Sequence, residues 1–577
     1  MRLEEDLQMA DVPLWSGLDS AARQELQTRL ERVSVPGGEV LFEEGQIADA
    51  LYILVSGALG ISVRNHEGEE RRLARIFPPE TIGEMALISD APRSATVTAL
   101  RDSVLLKLSR FAYDELIERC PHAMLYLARL LADRLRAANR STPLAYAPAT
   151  FAIVPVTQGV SVPEFADALF NDMRQRFGPR VTLLGHMPAE ADEEWFHRVE
   201  VASSRVLYAS AQPVGDWTEL CIRRADHIIL VAKPGEPVER LPRSLISGRG
   251  WRRRDLVLLQ DAHVSRPKRA HASLEELNTD LRLHVRRGDP HDLQRVARII
   301  SGKAVGIVFA GGGARGFAHV GVMQALREHN YPIDLVGGTS IGAVIAAACA
   351  RDSDYEGIRG QLAAAFAMDP PLSDYTLPLV ALVRGRKVDR RLLRHFGGYT
   401  IEDLWLPFFC VSSNLTTGNA YVHTRGPLWR ALRASIAIPG LLPPVIEQDG
   451  VLVDGALMNN LPADIMARLQ RGPVLAVDVA QDMAFPAGRW NRKRSVLRRL
   501  LGVPAEAPDI VSLLYRSATV SGDAQTARAR SLATAIIHPP LADIELRAWH
   551  RFDEVVEIGY RHAKQAIEAG ALAGIDV

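Results

Sequence analysis

Short stretches in which apolar and polar residues alternate, broken by glycine turns, run from Val33 to about Leu108, as in VSVPGGEVLFEEG, ALYILVSGALGISV and SATVTALRDSVLLKLS. Period-two patterning predicts half-buried strands, so this part is expected to form a small β-roll or barrel. Helical patterns flank it. SAARQELQTRLERV precedes the strands, and HAMLYLARLLADRLRAANR follows them with Met124, Leu127, Leu131 and Leu135 on one face. That second helix, near 122–140, is a candidate for capping a pocket or for pairing two copies of the chain as a homodimer. STPLAYAPAT then loses periodicity and reads as a linker.

Beyond the linker the pattern changes. Apolar runs FAIVPV, VTLL, VLYASA, HIILVA and LVLLQDA alternate with helical stretches such as VPEFADALFNDMRQRF, which predicts a parallel α/β sheet between Phe151 and Asp289. After the helical DLQRVARIISG come further strand candidates, AVGIVFA, LVGGT, FFCVSSN, VLVDG and PVLAVDVA. The expected fold is multidomain: a β-roll with helices over 1–143, a Rossmann-like middle α/β region over 144–289, and an α/β domain over 290–577. No internal repeat or low-complexity tract interrupts this order.

Length and composition agree with that division. A chain of 577 residues exceeds one hydrophobic core, and 47% apolar with 24% charged residues is ordinary for globular proteins. Basic and acidic side chains balance at 68 each, which argues against a dedicated nucleic-acid binder. Cys120, Cys221, Cys349 and Cys410 are scattered, so they read as reduced thiols, with no metal framework. The opening MRLEEDLQMADVP carries acids where a signal peptide needs a basic region, and no apolar run reaches about 18 residues. A cytoplasmic protein without a transmembrane helix is expected.

Candidate chemistry lies in the last region. AVGIVFA leads into Gly311-Gly312-Gly313-Ala314-Arg315-Gly316 and then the helical FAHVGVMQALREH, so backbone N–H groups gather where an anion could bind. A dinucleotide fingerprint would need an acidic residue ending the next strand. That strand ends instead in Gly338-Thr339-Ser340-Ile341-Gly342, a G-x-S-x-G elbow followed by the small-residue AVIAAACA. One turn offers donors for an oxyanion and the other a nucleophile, Ser340. Arg315 either serves that oxyanion or braces the turn.

The base is expected to be a carboxylate. His319 and His329 lie on the helix after the glycine loop, where packing or surface roles are the ordinary reading. Asp454 ends the apolar run in VLVDGALMNNLPADI and enters a turn, a place where a parallel sheet presents functional side chains. An alternative is a Ser-His-Asp esterase using His538, in AIIHPPL, after a late strand. Another is a non-enzymatic scaffold that senses a nucleotide.

GGGARG, GTSIG and the Asp454-Gly455-Ala456 turn, in this order, resemble the three signatures of patatin-like phospholipases. The likeness covers roughly Ala304 to Ala467 and extends to RASIAIPGLLPPV and Asn460-Leu461-Pro462. It implies a three-layer α/β domain and a Ser340–Asp454 dyad that works without histidine through an acyl-enzyme. In the roll, Gly83-Glu84-Met85-Ala86-Leu87 and Ala91-Pro92-Arg93-Ser94-Ala95-Thr96-Val97 offer a carboxylate for a ribose hydroxyl and an arginine for a phosphate. About residues 15–140 resemble cyclic-nucleotide-binding domains such as that of catabolite activator protein. The resemblance implies a cyclic nucleotide, cAMP or cGMP, as regulator, with Gly83, Glu84, Arg93 and Ser94 at its site; the alternative is a docking module in which Arg93 pairs with Glu84.

The middle region lacks G-x-x-x-x-G-K-[ST] and is expected to be structural. A nucleotide-type module, the segment GDWTELCIRRADHIILVA and a patatin-like core in series are similar to the neuropathy target esterase group of lysophospholipases. That likeness implies a phospholipid or lysophospholipid substrate. Two stretches, TLPLVALVRGRKVDRRLLRHF and WNRKRSVLRRLLG, mix apolar and cationic residues as interfacial helices do, so peripheral contact with the inner face of a membrane is expected. Solvated arginine-lined faces are the other reading.

Overall fold

A computed structural model of the chain describes residues 27–64, 70–119, 129, 131–132, 149–189, 191–211, 214–239, 241–242, 245, 252–351, 355–367, 372–377, 379–448, 450–480 and 523–575. The helix expected over 122–140 and the stretch 490–502 therefore lie mostly or wholly outside the described residues. The chain divides into two compact units, Met1–Leu259 with Ala270–Leu281, and Gln260–Arg269 with Arg282–Val577.

In the first unit, β1 (Glu31–Val35), β2 (Val40–Phe42), β3 (Ala50–Arg64), β4 (Glu70–Ile76), β5 (Thr81–Ile82) and β6 (Thr96–Ser109) form an antiparallel roll ordered β1-β6-β3-β4, with β2 on β6 and β5 on β3. Alternation along β3 explains it. Leu51, Ile53 and Val55 join one core with Ala112, Tyr113 and Leu116 of the helix Arg110–Arg119, while Ala50, Tyr52, Leu54 and Leu59 join another with Phe42, Val97 and Leu105. One strand thus serves two cores, because successive side chains point to opposite faces.

The middle sheet contains β7 (Thr150–Pro155), β8 (Val181–Leu184), β9 (Arg205–Ala209), β10 (His227–Ala232), β11 (Arg253–Gln260) and β12 (Leu281–Arg286), in the order β12-β11-β10-β7-β9-β8. Strands β7 to β11 are parallel, as their continuous apolar runs predict. The helix Val162–Phe177 buries Val162, Phe165, Ala166, Leu169 and Met173, one face of a 3.6-residue period. Within this unit, Arg101 of β6 reaches Glu200 at 2.5 Å and Asp226 at 3.1 Å, and Tyr208 donates to Glu200 at 2.7 Å. The roll is joined to the middle sheet by a buried ion cluster.

In the second unit a helix, Pro290–Ile300, is set by Asp289 at the N-cap and proline at the first position. Its sheet comprises β13 (Gly306–Phe309), β14 (Leu335–Thr339), β15 (Phe408–Asn414), β16 (Asn419–His423), β17 (Val445–Glu447), β18 (Gly450–Asp454), β19 (Val474–Val477) and β20 (Ala535–Ile537). The order is β17-β18-β15-β14-β13-β19-β20, with β16 also on β15. Strands β13, β14, β15, β19 and β20 are parallel. The expectation of a parallel setting for the strand ending in Asp454 is corrected: β18 runs antiparallel to β15 and forms a tight hairpin with β17, the turn between Glu447 and Gly450 being too short for a parallel crossover.

Candidate active site

Register brings the elements of the site together. Thr339 at the end of β14 pairs with Val411, and Ser412 beside it pairs with Asp454 at the end of β18. The two strand ends adjoin. Helix Ile341–Ala350 starts directly after Ser340, and every residue in it is buried, as its small apolar sequence allows.

Ser340 has φ 55° and ψ −125°, a backbone conformation that costs a non-glycine residue about 1–3 kcal/mol. Neighbouring groups hold it there. Its N–H donates to Ser435 Oγ at 2.9 Å, Ser435 Oγ donates to Val411 O at 2.6 Å, and Thr339 Oγ1 donates to Asn459 O at 2.8 Å. The flanking glycines are needed for space: a Cβ on Gly338 would stand 2.6 Å from the Gly342 carbonyl carbon, and one on Gly342 2.3 Å from Phe309 O. Strand and helix can then fold sharply at Ser340.

Ser340 Oγ donates to Asp454 Oδ2 at 2.7 Å, while Asp454 Oδ1 accepts from Ala456 N at 2.9 Å. Both side chains are buried. Burial pushes the Asp454 carboxyl up to about 6, against the lowering effect of its hydrogen bonds from Ala456 and Ser340. A carboxylate with that value is a stronger base than an exposed one, yet remains mostly ionised at pH 7.

The glycine loop follows β13, the direct neighbour of β14, and so lies beside the elbow; a Cβ on Gly316 would meet Ile341 Cγ2 at 2.4 Å. Several of its amides are already used. Gly311 N donates to Asn460 O at 3.2 Å, Ala314 N to Leu546 O at 2.9 Å and Arg315 N to Gly312 O at 3.2 Å. No described residue accepts from the amides of Gly312 or Gly313, and Gly313 lines the same cavity as Ser340. Within the broad set from Gly311 to Gly316, the amides of Gly312 and Gly313 are therefore candidates for the oxyanion. Of the two readings of Arg315, its buried Nε donates to Ile544 O at 2.8 Å, which is bracing.

The histidines sit elsewhere. His319 is fully buried, hydrogen-bonded through Nε2 to Ala310 O at 2.9 Å, and burial pulls its imidazole down to about 4. His329 bonds Ala325 O on its own helix at 2.8 Å. His538 follows β20, three strand positions from β14, with Nδ1 3.9 Å from Asp478. Arg530 holds that aspartate at 2.6 Å. His538 thus stands beside Asp478 at the β20 edge, whereas Ser340 hydrogen-bonds Asp454.

Ser340 opens on a cavity of about 1150 Å³, mouth included, walled by Val344, Phe366, Leu392, Phe396, Leu441 and Trp549. The walls are almost wholly apolar. Arg391, His395 and Arg547 are the basic side chains in the lining. Ser435 and Asn460 escaped sequence reasoning as individual site residues, although both stand in stretches, RASIAIPG and NNLP, that flank the third motif.

In the roll, Gly83 caps the helix Glu84–Ser89 with φ 87°, and Glu84 is buried. Arg93 is buried too. Its Nη1 donates to Gly83 O at 3.0 Å, its Nη2 to Ala50 O at 2.8 Å and Asp49 at 3.3 Å, and its guanidinium lies 4.2 Å from the Phe42 ring centre. Ser94 is exposed. The Glu84 carboxylate also acts on the Arg93 guanidinium electrostatically.

A strained serine bonded to a buried aspartate, beside a glycine loop on an α/β sheet, places the second unit among patatin-type domains. The family described as patatin-like phospholipase matches residues 307–467. The cyclic nucleotide-binding domain family matches 32–120, and the Neuropathy Target Esterase family P-loop like domain matches 148–279. An uncharacterised NTE family protein of Mycobacterium tuberculosis is 31% identical over 580 residues, covering 97% of this chain and 96% of that protein. The chain belongs to the neuropathy target esterase family.

A lysophospholipase of Neurospora crassa is 28% identical over 643 residues, covering 93% of this chain and 42% of its own length. The chain thus spans less than half of such fungal relatives. Among solved structures, the catabolite activator protein of Thermus thermophilus is 30% identical over 29% of this chain and 72% of that chain, with a TM-score of 0.21.

Proposed function

We propose that this protein is a serine lipid-ester hydrolase acting on phospholipid or lysophospholipid, with Ser340 as nucleophile and Asp454 as its base. The observation that carries the reading is the 2.7 Å hydrogen bond between them, made at the floor of an apolar cavity. Asp454 takes the Ser340 proton as Oγ attacks the acyl carbonyl, and the amides of Gly312 and Gly313 receive the oxyanion. The protonated Asp454 then gives its proton to the departing alkoxide, leaving an acyl-enzyme. Water attacks that ester with Asp454 again as base, releasing the fatty acid and restoring Ser340.

An acyl chain suits the apolar walls, and Arg391, His395 and Arg547 suit an anionic headgroup. The lysophospholipase name of the fungal relative supports the same substrate class. The domains proposed are a cyclic-nucleotide-binding-like 1–143, a middle 144–289 and a catalytic 290–577. Cyclic AMP or cyclic GMP acts on the first of them as regulator, a reading supported by the family match over 32–120. Lipid is met peripherally, at the cytoplasmic face. Among the described residues no helix is long and apolar enough to cross a membrane.

The test is a lipid-class hydrolysis panel run on wild type and Ser340→Ala. Loss of turnover by about 10³-fold or more is expected. A Ser340→Ala protein with wild-type turnover, or one still labelled by a serine-directed fluorophosphonate as the wild type is, would overturn the reading.

A further inference from the structure

The stretch 376–396 does not form one interfacial helix. It splits into a hairpin and a helix, Arg386–Phe396, whose Val388, Leu392 and Phe396 are buried and line the cavity. The apolar face of that helix is turned inward, so it is not available to lie on a lipid surface. The hairpin has the opposite character. Thr376 N donates to Leu382 O at 3.0 Å, Arg384 N to Asp374 O at 2.9 Å, and Tyr375 pairs with Val383.

At its tip Tyr375, Leu377, Leu379 and Val380 are 67%, 74%, 85% and 68% exposed. Four large apolar side chains within six residues form a patch of the kind that soluble surfaces rarely leave uncovered. The base of the hairpin is fixed to the cavity wall: Leu382 N donates to Gly440 O at 2.8 Å and Val383 N to Leu441 O at 3.1 Å, and Leu441 and Leu442 line the cavity. Lys387 Nζ donates to Ser373 Oγ at 2.7 Å and ties the helix start to the same base. Arg384, Arg386, Arg390 and Arg394 are exposed on the hairpin and the outer face of the helix.

We propose that the hairpin tip inserts into an anionic lipid surface and sets the cavity mouth against it. Apolar side chains enter the acyl region while the arginines meet lipid phosphates, the division of labour that holds peripheral elements at bilayers. The charge of the neighbouring helix selects this occupant over an apolar protein partner. The cavity wall and the tip share one hydrogen-bonded frame, so a single-chain lipid leaving the bilayer has a short apolar route to Ser340. This proposal rests on the hydrolase reading only for its purpose; surface binding can be measured without turnover.

The experiment is vesicle flotation of the full chain with phosphatidylcholine alone and with phosphatidylglycerol added, comparing wild type, the Leu377→Glu/Leu379→Glu pair, and Ile47→Glu as an exposed apolar control in the other unit. Turnover of p-nitrophenyl butyrate, a soluble ester, is followed in parallel. Wild type and Ile47→Glu are expected to float, more with phosphatidylglycerol, and the double variant to partition about tenfold less or lower, with soluble-ester turnover unchanged. Should the glutamates also impair soluble turnover, the Leu377→Ala/Leu379→Ala pair must still show reduced flotation. A double variant that floats like wild type overturns the proposal, as does a wild type that cleaves the soluble ester but never floats. A change of oligomeric state in place of lost flotation would assign the tip to a second copy. A wild type that floats but cleaves no ester sinks the hydrolase reading and leaves this surface standing.

Discussion

The elbow around Ser340 and the segment from Gly83 to Ser94 are both written as short motifs built around glycine and a functional side chain, but tertiary structure uses them in opposite ways. At the elbow, strained backbone aims Ser340 at Asp454 and into an open cavity. In the roll, Arg93 is drawn inward onto the carbonyls of Gly83 and Ala50. In one, the proposed nucleophile and base already touch. The other holds both Nη groups of its arginine on internal acceptors.

The contrast teaches where stored strain and unused donors mean readiness. Ser340 is kept in an unfavourable conformation by Ser435 and two glycines, and the Gly312 and Gly313 amides have no acceptor among the described residues. Arg93, in contrast, spends both Nη groups on carbonyls and a carboxylate of the roll, and only its buried Nε lacks a hydrogen-bond partner among the described residues.

The largest test of this difference is Asp454→Asn. Ester turnover should fall by about 10³-fold or more, because an amide cannot take the Ser340 proton, while His538→Ala should leave turnover within about twofold. Equal losses from both changes would erase the distinction between the two carboxylate neighbourhoods. Gly313→Ala comes next. Its φ is +57° and a Cβ would stand 2.4 Å from Leu546 O, so the donor loop must shift and kcat should drop by about 100-fold, the scale of one lost oxyanion donor.

A smaller, graded effect should follow pH. In the proposed mechanism Asp454 acts in its ionised form, so turnover is expected to decline below about 6, approaching tenfold per unit, in a kcat profile with one acidic limb. Stability moves the other way. The folded value lies above the ordinary unfolded one of about 3.9, so the contribution of this group is fully present below that pH and lost as pH rises through about 6. Asp454→Asn, neutral throughout, should then melt no lower than wild type at pH 8. A pronounced fall in its melting temperature there would contradict the buried-carboxylate account.

The smallest effect on chemistry is assigned to Arg93→Ala. Basal turnover should change by less than about twofold, whereas the roll should lose about 1–3 kcal/mol from its unpaired Gly83 and Ala50 carbonyls, read by denaturant unfolding. Isothermal titration with cyclic AMP and cyclic GMP completes the comparison: binding to wild type but not to the variant would show that Arg93 can leave its internal partners, and equal binding to both would remove it from the site.

Much of the architecture could be read from periodicity alone. Strands β3, β7, β10, β14 and β18 are apolar runs bounded by turn residues, and the helix Pro290–Ile300 announces itself by Asp289, Pro290 and a 3.6-residue pattern. Short edge strands such as β16 and β17 carry too few apolar residues to stand out. The direction of β18 was hidden as well, since a five-residue run looks the same in either orientation. Likewise 376–396 looked like one amphipathic helix, because cationic and apolar residues alternate there whichever way the apolar ones face.

By itself the sequence determined the order of domains, the strained position of Ser340 between glycines that leave no room for a Cβ, and the presence of an aspartate at a strand end. Those are local matters of sterics and patterning. Only tertiary structure decided which carboxylate meets the serine, which amides remain available, and which apolar side chains stay exposed. Each of these depends on register between strands far apart in the chain: Thr339 beside Val411, and Ser412 beside Asp454. A hydrogen bond of 2.7 Å is set by that register, and no single segment contains it.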